Sequence, residues 1–255
     1  MSQIHTPRYD CRYYFKHRQG GPHLNYYMSF GGGVNSTALK IILDKEGREY
    51  EATFVDLGCE LPETYENIKR MENITVLKPN VKGYDNIYDF YWAERLVPFI
   101  KYRSCTDKFK IQTLKKHHEK PCTVFIGFDV REKHRVQESN IKGITYEYPL
   151  IEYGLNRRDC KKIIHDHNIP IPPKSGCYIC PFQSRESWWA LARDHPDLFW
   201  KAVALEENST GPRLRKHKGW LRDYYPPPKT FEMVEMGCNY CVFGISPIMT
   251  KEDNL

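Results

Sequence analysis

The sequence has no long apolar run. No stretch approaches the roughly 20 consecutive apolar residues that a helix needs to cross a bilayer. Residues 1–23 are basic and aromatic but lack the continuous apolar segment of a secretory signal. The chain also has no internal repeat and no low-complexity tract. We therefore expect a cytoplasmic protein that does not associate with a membrane.

A strong charge of either sign is also missing. A net charge of +6 over 255 residues is mild, and this length suits one large domain, or a domain with an appendage. Basic residues nevertheless cluster in 101–120 and 213–222, both interleaved with aromatic side chains. Such stretches either neutralise nucleic-acid phosphates while aromatic faces stack on bases, or form solvated helix faces beside packed aromatics. A nucleic-acid partner remains one of two interpretations.

Cysteine, in contrast, is plentiful. Four of the nine cysteines form two CxxC pairs, Cys177/Cys180 and Cys238/Cys241. The odd total, the lack of a secretory signal and the pair spacing argue against a disulfide framework. They indicate metal binding in a reducing compartment.

Short apolar segments alternate with helical patterns through the first two-thirds of the chain. The predicted strands are Leu24–Phe30, Ala52–Leu57, Ile74–Leu77, Thr123–Phe128 and Thr145–Leu150. Helices are predicted after the first two strands and over Cys105–His118 and Asn156–His167, with Asn156 as an N-cap. This alternation predicts an α/β fold with a doubly wound, mainly parallel sheet, whose ligands bind at the carboxyl ends of the strands.

The character of the sequence changes at residue 169. The proline-rich run 169–176 cannot continue a helix and is typical of a rigid linker. Two helices are predicted beyond it, beginning near Ser184 and at Pro196. Their large aromatic residues, assigned to the core, are Trp188, Trp189, Phe199 and Trp200. We therefore predict an N-terminal arm (1–23), either solvated or folded over substrate, a main domain (24–169) and a small helical, metal-stapled appendage (170–255).

A glycine-rich turn joins the first predicted strand to the first predicted helix. The consecutive glycines Gly31, Gly32 and Gly33 let the backbone approach a ligand closely. The N-terminus of the following helix offers N–H groups and the positive end of a dipole, which suit phosphate. The polar side chains of the turn are Ser29, Asn35, Ser36 and Thr37. Such a turn either binds phosphate or simply connects a strand to a helix.

This turn resembles the PP-loop of the adenine-nucleotide α-hydrolase superfamily, whose pattern is Ser-Gly-Gly-x-Asp-Ser. Gly31–Ser36 occupies those six places, with Gly31 in place of serine and Asn35 in place of aspartate. The resemblance implies a Rossmann-like nucleotide-binding domain over 24–169 that binds ATP, or a related adenine nucleotide, with Mg²⁺. Asparagine at position 35 lacks the negative charge of the family's aspartate, which would help to bind Mg²⁺ beside pyrophosphate. Nucleotide binding is therefore better supported than hydrolysis.

Three further stretches resemble the phosphoadenosine-phosphosulfate reductase branch of that superfamily. Phe54–Thr64 is similar to its Asp-Thr-Gly-x-x-x-Pro-Glu-Thr segment, Ser104–Lys108 to its Cys-Thr-x-x-Lys stretch, and Gly127–Arg135 to its Gly-x-x-x-x-Glu-x-x-Arg loop. The resemblance implies that Arg135 contacts phosphate and that Glu132 orients it. The implied catalytic residues are Ser36, Asp56 and Arg135, and the implied nucleotide-binding residues also include Gly127 and Glu132.

Each CxxC pair places two thiolates on a tight turn, and two such turns make a tetrahedral four-thiolate site. The ligands would be Cys177, Cys180, Cys238 and Cys241. Zinc and a [4Fe–4S] cluster both suit four thiolates. Zinc would only stabilise the fold of the appendage, whereas a cluster would bind or relay sulfur, as in several PP-loop thiolation enzymes. That resemblance favours the cluster.

Cys105 is a separate candidate for catalysis. It lies near a predicted helix N-terminus between Arg103 and Lys108, where a thiolate would be stabilised. Such a thiol would carry a persulfide. The alternative is a small buried residue without a chemical role.

Three functions fit these observations. The leading one is an enzyme that uses ATP to adenylate an acceptor oxygen, after which sulfur displaces AMP. The acceptor would be a nucleobase or a nucleic-acid phosphate. A second protein would donate the sulfur. Another is a sulfonucleotide reductase, which needs a reactive cysteine near the C-terminus. The third is a non-catalytic module that binds a nucleotide or a nucleic acid.

Overall fold

The computed structural model describes residues 25–139, 141–214 and 219–230. These residues contain a five-stranded, all-parallel sheet in the order β3-β2-β1-β4-β5. The strands are β1 (Asn25–Ser29), β2 (Glu51–Val55), β3 (Ile74–Leu77), β4 (Cys122–Ile126) and β5 (Ile144–Glu147). Helices flank the sheet, so the predicted doubly wound α/β fold is confirmed.

Eight α-helices lie in the described part of the chain. They are α1 (Val34–Lys45), α2 (Pro62–Arg70), α3 (Ile87–Ala93), α4 (Gln112–His117), α5 (Pro149–Glu152), α6 (Arg157–Asp166), α7 (Arg185–Asp194) and α8 (Pro196–Asn208). A π-helical segment, Cys105–Ile111, runs directly into α4, and Val130–Arg135 and Leu221–Tyr224 form 3₁₀ helices. None of the described helices combines the length and apolarity that a membrane crossing requires.

Local sequence signals set several helix starts. The Asn156 side chain accepts hydrogen bonds from the backbone N–H groups of Arg158 (2.7 Å) and Asp159 (3.3 Å), so it caps α6 as predicted. Ser184 caps α7 by accepting from Ser187 N at 3.2 Å. The predicted strand Thr145–Leu150 is too long, because Pro149 begins α5 instead.

The two faces of the sheet are covered by different helices. One buried cluster combines α1 and α6 with strand residues such as Met28 and Phe125. The other combines residues of β4 with α3, α7 and α8, including Trp188 and Phe199, which are buried as predicted. Trp200, assigned to the core from sequence, is instead 45% exposed, with its ring against Phe199 and Tyr225. The boundary at residue 170 remains a prediction.

Candidate nucleotide site

The sheet reverses its strand order at β1, which has β2 on one side and β4 on the other. In parallel sheets the crevice at such a reversal is the usual ligand site. The segments that follow β1 and β4 therefore meet there. A Cβ atom on Gly127 would lie 3.3 Å from backbone atoms of Asn35 and Ser36, so glycine at this position allows the two segments to approach.

The glycine turn leads into α1 without a side-chain cap. Gly32 has a φ of +69°, in the left-handed region that favours glycine. Gly33 precedes α1 as its N-cap and supplies no side-chain acceptor to the first turn of the helix. The Ser36 hydroxyl donates to the Gly33 carbonyl oxygen at 3.0 Å. The first-turn N–H groups of α1 thus lie beside the crevice without a side-chain cap, as an anion site requires.

A cavity of about 370 Å³ opens beside this turn. Its wall includes nine residues selected from sequence: Ser29, Gly31, Gly33, Asn35, Ser36, Gly127, Glu132, Arg135 and Cys177. Four other polar residues of the wall lie in segments that the sequence analysis identified without naming them singly: Glu60, Asp129, Arg131 and His134. Sequence reasoning missed Lys110, Arg157, Lys174 and Ser175. The basic cluster at 101–120 was a signal for Lys110. Arg157 and Lys174 carried no recognisable pattern.

Other residues selected from sequence do not line this cavity. Gly32 and Thr37 are hydrogen-bonded to the buried Asn67 instead, whose amide donates to the Gly32 carbonyl oxygen (2.9 Å) and the Thr37 hydroxyl (3.0 Å). Asp56 accepts hydrogen bonds from the Tyr65 hydroxyl at 2.7 Å and the Gly58 N–H at 2.8 Å. Asp56 is thereby held at the end of β2, and burial and this carboxylate raise the pKa of Tyr65.

Asn35 connects the glycine turn to the segment after β4. Its amide nitrogen donates to a carboxylate oxygen of Asp129 at 3.2 Å and of Glu132 at 3.0 Å. Glu132 also accepts a hydrogen bond from the Arg135 guanidinium, which lies 4.2 Å from the centre of the Phe128 ring. This network fixes Arg135 in the cavity wall, where a cation can contact phosphate.

Cys105 does not have the environment expected from its basic neighbours. Burial raises the pKa of its thiol, and the opposing effects of Lys110 and Arg103 do not reverse that direction. The expected stabilisation of a thiolate by those cations is therefore not the dominant effect. Cys105 does not line the cavity either.

The first CxxC pair forms the tight turn that its spacing predicts. Cys180 N donates to the Cys177 carbonyl oxygen at 3.0 Å, and the Cys177 thiol donates to Glu60 at 3.5 Å. Cys238 and Cys241 lie outside the described residues. Within the described ranges, no three His, Cys, Asp or Glu side chains gather as metal ligands would. Two thiols on one turn fit half of a tetrahedral site, so the four-cysteine site remains a prediction.

Comparison with known proteins places this geometry in a family. Residues 25–173 match the phosphoadenosine phosphosulfate reductase domain. The chain is 22% identical to the uncharacterized protein MJ0973 of Methanocaldococcus jannaschii, over 80% of this chain and 53% of that protein. It is 23% identical to the uncharacterized protein MJ0066 of the same organism, over 76% and 44% respectively. The chain thus spans about half the length of these curated relatives.

The matched residues include the sheet, the glycine turn and most of the cavity wall. The glycine turn after β1, the Asp56 segment after β2 and the Arg135 segment after β4 all fall within them. The chain therefore belongs to the phosphoadenosine phosphosulfate reductase domain family, a nucleotide-binding branch of the PP-loop proteins.

Proposed function

We propose that this protein binds an adenine nucleotide through its phosphates at Gly31–Ser36 and uses it to prepare an acceptor for sulfur transfer. The observation that carries the proposal is the cavity itself, whose wall combines uncapped helix N–H groups with five lysine and arginine side chains. A volume of about 370 Å³ lies within the range of roughly 300–1,000 Å³ that is usual for small-molecule sites.

The proposed chemistry is adenylyl transfer followed by displacement. An acceptor oxygen attacks the α-phosphorus of ATP, a new O–P bond forms, and the bond to the β-phosphate breaks to release pyrophosphate. A sulfur nucleophile from a donor then attacks the acceptor and AMP leaves with the oxygen. Backbone N–H groups, Lys110 and Arg135 would stabilise negative charge on the phosphates, with Ser36 positioning them. Asp56, at the neighbouring end of β2, would contact the nucleoside.

The carboxylates of Asp129 and Glu132 would hold a Mg²⁺ ion that accompanies the phosphates, because Mg²⁺ prefers one or two carboxylates together with phosphate oxygens. The cysteines of the two CxxC pairs would hold zinc or a [4Fe–4S] cluster. A cluster would supply a bound sulfur, whereas zinc would fix the turn. Cys177 supports sulfur chemistry at this site because it lines the same cavity as the glycine turn. A persulfide on Cys105 is also part of the proposal, although burial raises the pKa of this thiol and Cys105 does not line the cavity.

The acceptor proposed is a nucleic acid. Tyr102 is 71% exposed in the basic region 101–120, and the guanidinium of Arg213 lies 4.0 Å from the centre of the Trp220 ring. An exposed ring such as Tyr102 suits stacking on bases, and the cations beside Trp220, which is half-buried, suit neutralisation of phosphates.

Reduction of a sulfonucleotide is the second candidate. The family match favours it, and so does Asn35, whose neutral amide replaces a carboxylate that would help to hold Mg²⁺ beside a pyrophosphate. A thiolate would attack the sulfur of bound phosphoadenosine phosphosulfate, forming an S–S bond to the sulfo group while the S–O bond to the nucleotide breaks and the nucleotide leaves. A second thiol would then displace sulfite and leave a disulfide. The reaction needs a reactive cysteine near the C-terminus, for which Cys241 fits poorly because it belongs to a CxxC pair.

The test combines binding with product analysis. Calorimetric titration with ATP and with phosphoadenosine phosphosulfate measures the affinity for each nucleotide. Release of pyrophosphate from ATP in the presence of RNA or DNA reports adenylation. Release of sulfite in the presence of a thiol reductant reports reduction. Gly31→Glu is the informative variant, since Gly31 lines the cavity, a Cβ there would meet no protein atom within 4 Å, and the added carboxylate would repel phosphate. We expect Gly31→Glu to weaken nucleotide binding by about tenfold or more, roughly 1.4 kcal/mol.

Gly211→Glu is the matched control, because it adds the same charge at a glycine whose Cβ makes only ordinary contacts and that does not line the cavity. Equal affinities for Gly31→Glu, Gly211→Glu and the unchanged protein would contradict phosphate binding at the turn. Binding without either product would instead support the non-catalytic module.

A further inference from the structure

The segment Lys174–Cys177, which we call the strap, begins directly after the family match ends at residue 173. It is nevertheless fastened to the loop after β2. Glu60 pairs with Cys177 in an antiparallel bridge, and Leu61 N donates to the Gly176 carbonyl oxygen at 3.3 Å. Tyr178 N donates to Cys59 O at 2.9 Å just beyond it. The strap is therefore held in place on the nucleotide domain.

The strap also covers the glycine turn. A Cβ atom on Gly33 would lie 2.7 Å from the Ser175 hydroxyl oxygen, so the strap and the turn are in contact. All four strap residues line the cavity. The run of prolines before the strap, which indicates a linker in the sequence, thus leads into the wall of the site.

The charges of the cavity do not balance without a ligand. The wall carries five cations, of which three are paired with wall carboxylates: Lys110 with Glu60 at 3.6 Å, Arg131 with Asp129 at 3.5 Å, and Arg135 with Glu132. The two remaining cations, Arg157 and Lys174, form no ion pair with any carboxylate of residues 25–139, 141–214 or 219–230.

Arg157 and Lys174 are also half-buried rather than extended into water. A cation that is partly withdrawn from water without a counter-charge costs free energy, which a bound anion would offset. They approach the cavity from different elements. Arg157 is the first residue of α6 and lies two residues after Leu155, whose carbonyl oxygen accepts from Val130 N at 2.9 Å. Lys174 is the first residue of the strap.

We infer that Arg157 and Lys174, with the Ser175 hydroxyl, form an oxyanion subsite that binds a second phosphate or sulfate group of the nucleotide. The inference rests on the proposed nucleotide site and adds the residues of this chain that distinguish an adenine nucleotide with several anionic groups from a nucleoside monophosphate. The glycine turn holds one such group through its N–H donors. The subsite holds another, and a nucleoside monophosphate leaves it empty.

The experiment compares nucleotides of different charge on variants of the full chain. Affinities for AMP, ADP, ATP and adenosine 3′,5′-bisphosphate are measured by calorimetry for the unchanged protein, Lys174→Met, Arg157→Gln and the double variant. We expect each single change to weaken binding of the multiply charged nucleotides by about 10-fold or more, as the loss of a charge-assisted hydrogen bond does, and binding of AMP by no more than about 3-fold. Lys201→Met, an exposed lysine of α8 outside the cavity, is the control.

Comparing the ligands shows whether the subsite binds a phosphate of the 5′ chain or one on the 3′ oxygen. If ADP and ATP lose affinity but adenosine 3′,5′-bisphosphate does not, the subsite binds the 5′ chain; the reverse pattern assigns it to a 3′ ester, and both support the inference. Equal losses for AMP and ATP, or losses no larger than with Lys201→Met, overturn it while leaving nucleotide binding intact. If the unchanged protein binds none of these ligands, the proposed function fails as well. Thermal melts of each variant identify any loss of fold.

Discussion

Asn35 shows how a departure from a family pattern can be accommodated by its neighbours. Its amide donates to carboxylates of both Asp129 and Glu132, so an aspartate here would place three carboxylates together. Like charges at such distances repel unless a cation intervenes. The sequence alone indicated a lost charge at Asn35, because nothing in the linear order connects this position with residues 129 and 132.

His118 offers a test of the electrostatics within the core. Its ring stacks on Tyr27 with centroids 4.0 Å apart, and burial, followed by the charge of His117 and opposed by Glu51, lowers the pKa of His118 to about 4. The unfolded chain, with a histidine pKa near 6.5, binds the proton first as the pH falls. The contribution of neutral His118 to the free energy of unfolding is therefore fully present above about pH 6.5 and is lost progressively as the pH falls to about 4.

We expect this loss to reach about 3 kcal/mol at most, from 1.36 kcal/mol per pKa unit. Urea denaturation at several pH values measures it. His118→Phe keeps an aromatic ring on Tyr27 without a titrating group, and should flatten the profile between pH 6.5 and 4. An unchanged slope in that variant would show that other groups control acid stability.

At the scale of elements, α2 holds the glycine turn through hydrogen bonds from one side chain. The buried Asn67 of this helix donates to both the Gly32 carbonyl oxygen and the Thr37 hydroxyl, and so fastens the two ends of the turn to one side chain. The turn is thus preorganised by a neighbouring element, not only by its glycines.

We expect Asn67→Ala to lower the free energy of unfolding by about 1–3 kcal/mol, because it leaves buried polar groups without their partner. Chemical denaturation checks this value. Asn80→Ala, which removes an exposed side-chain contact to Gly83 N, should change stability by less than about 0.5 kcal/mol. If the two variants behave alike, Asn67 does not support the turn.

The regular elements were largely predictable because their signals are local. The strands β1 to β4 and the N-caps Asn156 and Ser184 follow from apolar runs and short polar motifs. α3 was missed because its sequence, IYDFYWA, is rich in aromatic residues that favour strands as much as helices. Its one clear signal was Asn86, whose side chain accepts from Tyr88 N at 2.7 Å.

At the scale of the whole molecule, the site is assembled from segments that are distant in the chain. The glycine turn, Lys110, the Gly127–Arg135 segment, Arg157 and the strap meet at one crevice. The glycine turn and the segment after β4 were predictable, since strand topology brings their ends together. Arg157 and Lys174 were not, because a single basic residue on a helix or a linker has no pattern until the fold surrounds it with other charges.

The most direct test of the account is a nuclear magnetic resonance titration of the ¹⁵N-labelled protein with ATP. The account predicts that the amide signals of residues 31–36 and Gly127 shift along one saturating curve, while those of Gly154 and Gly211, which lie outside the cavity, stay in place. Saturable shifts confined to other residues, with the signals of 31–36 unmoved, would contradict it.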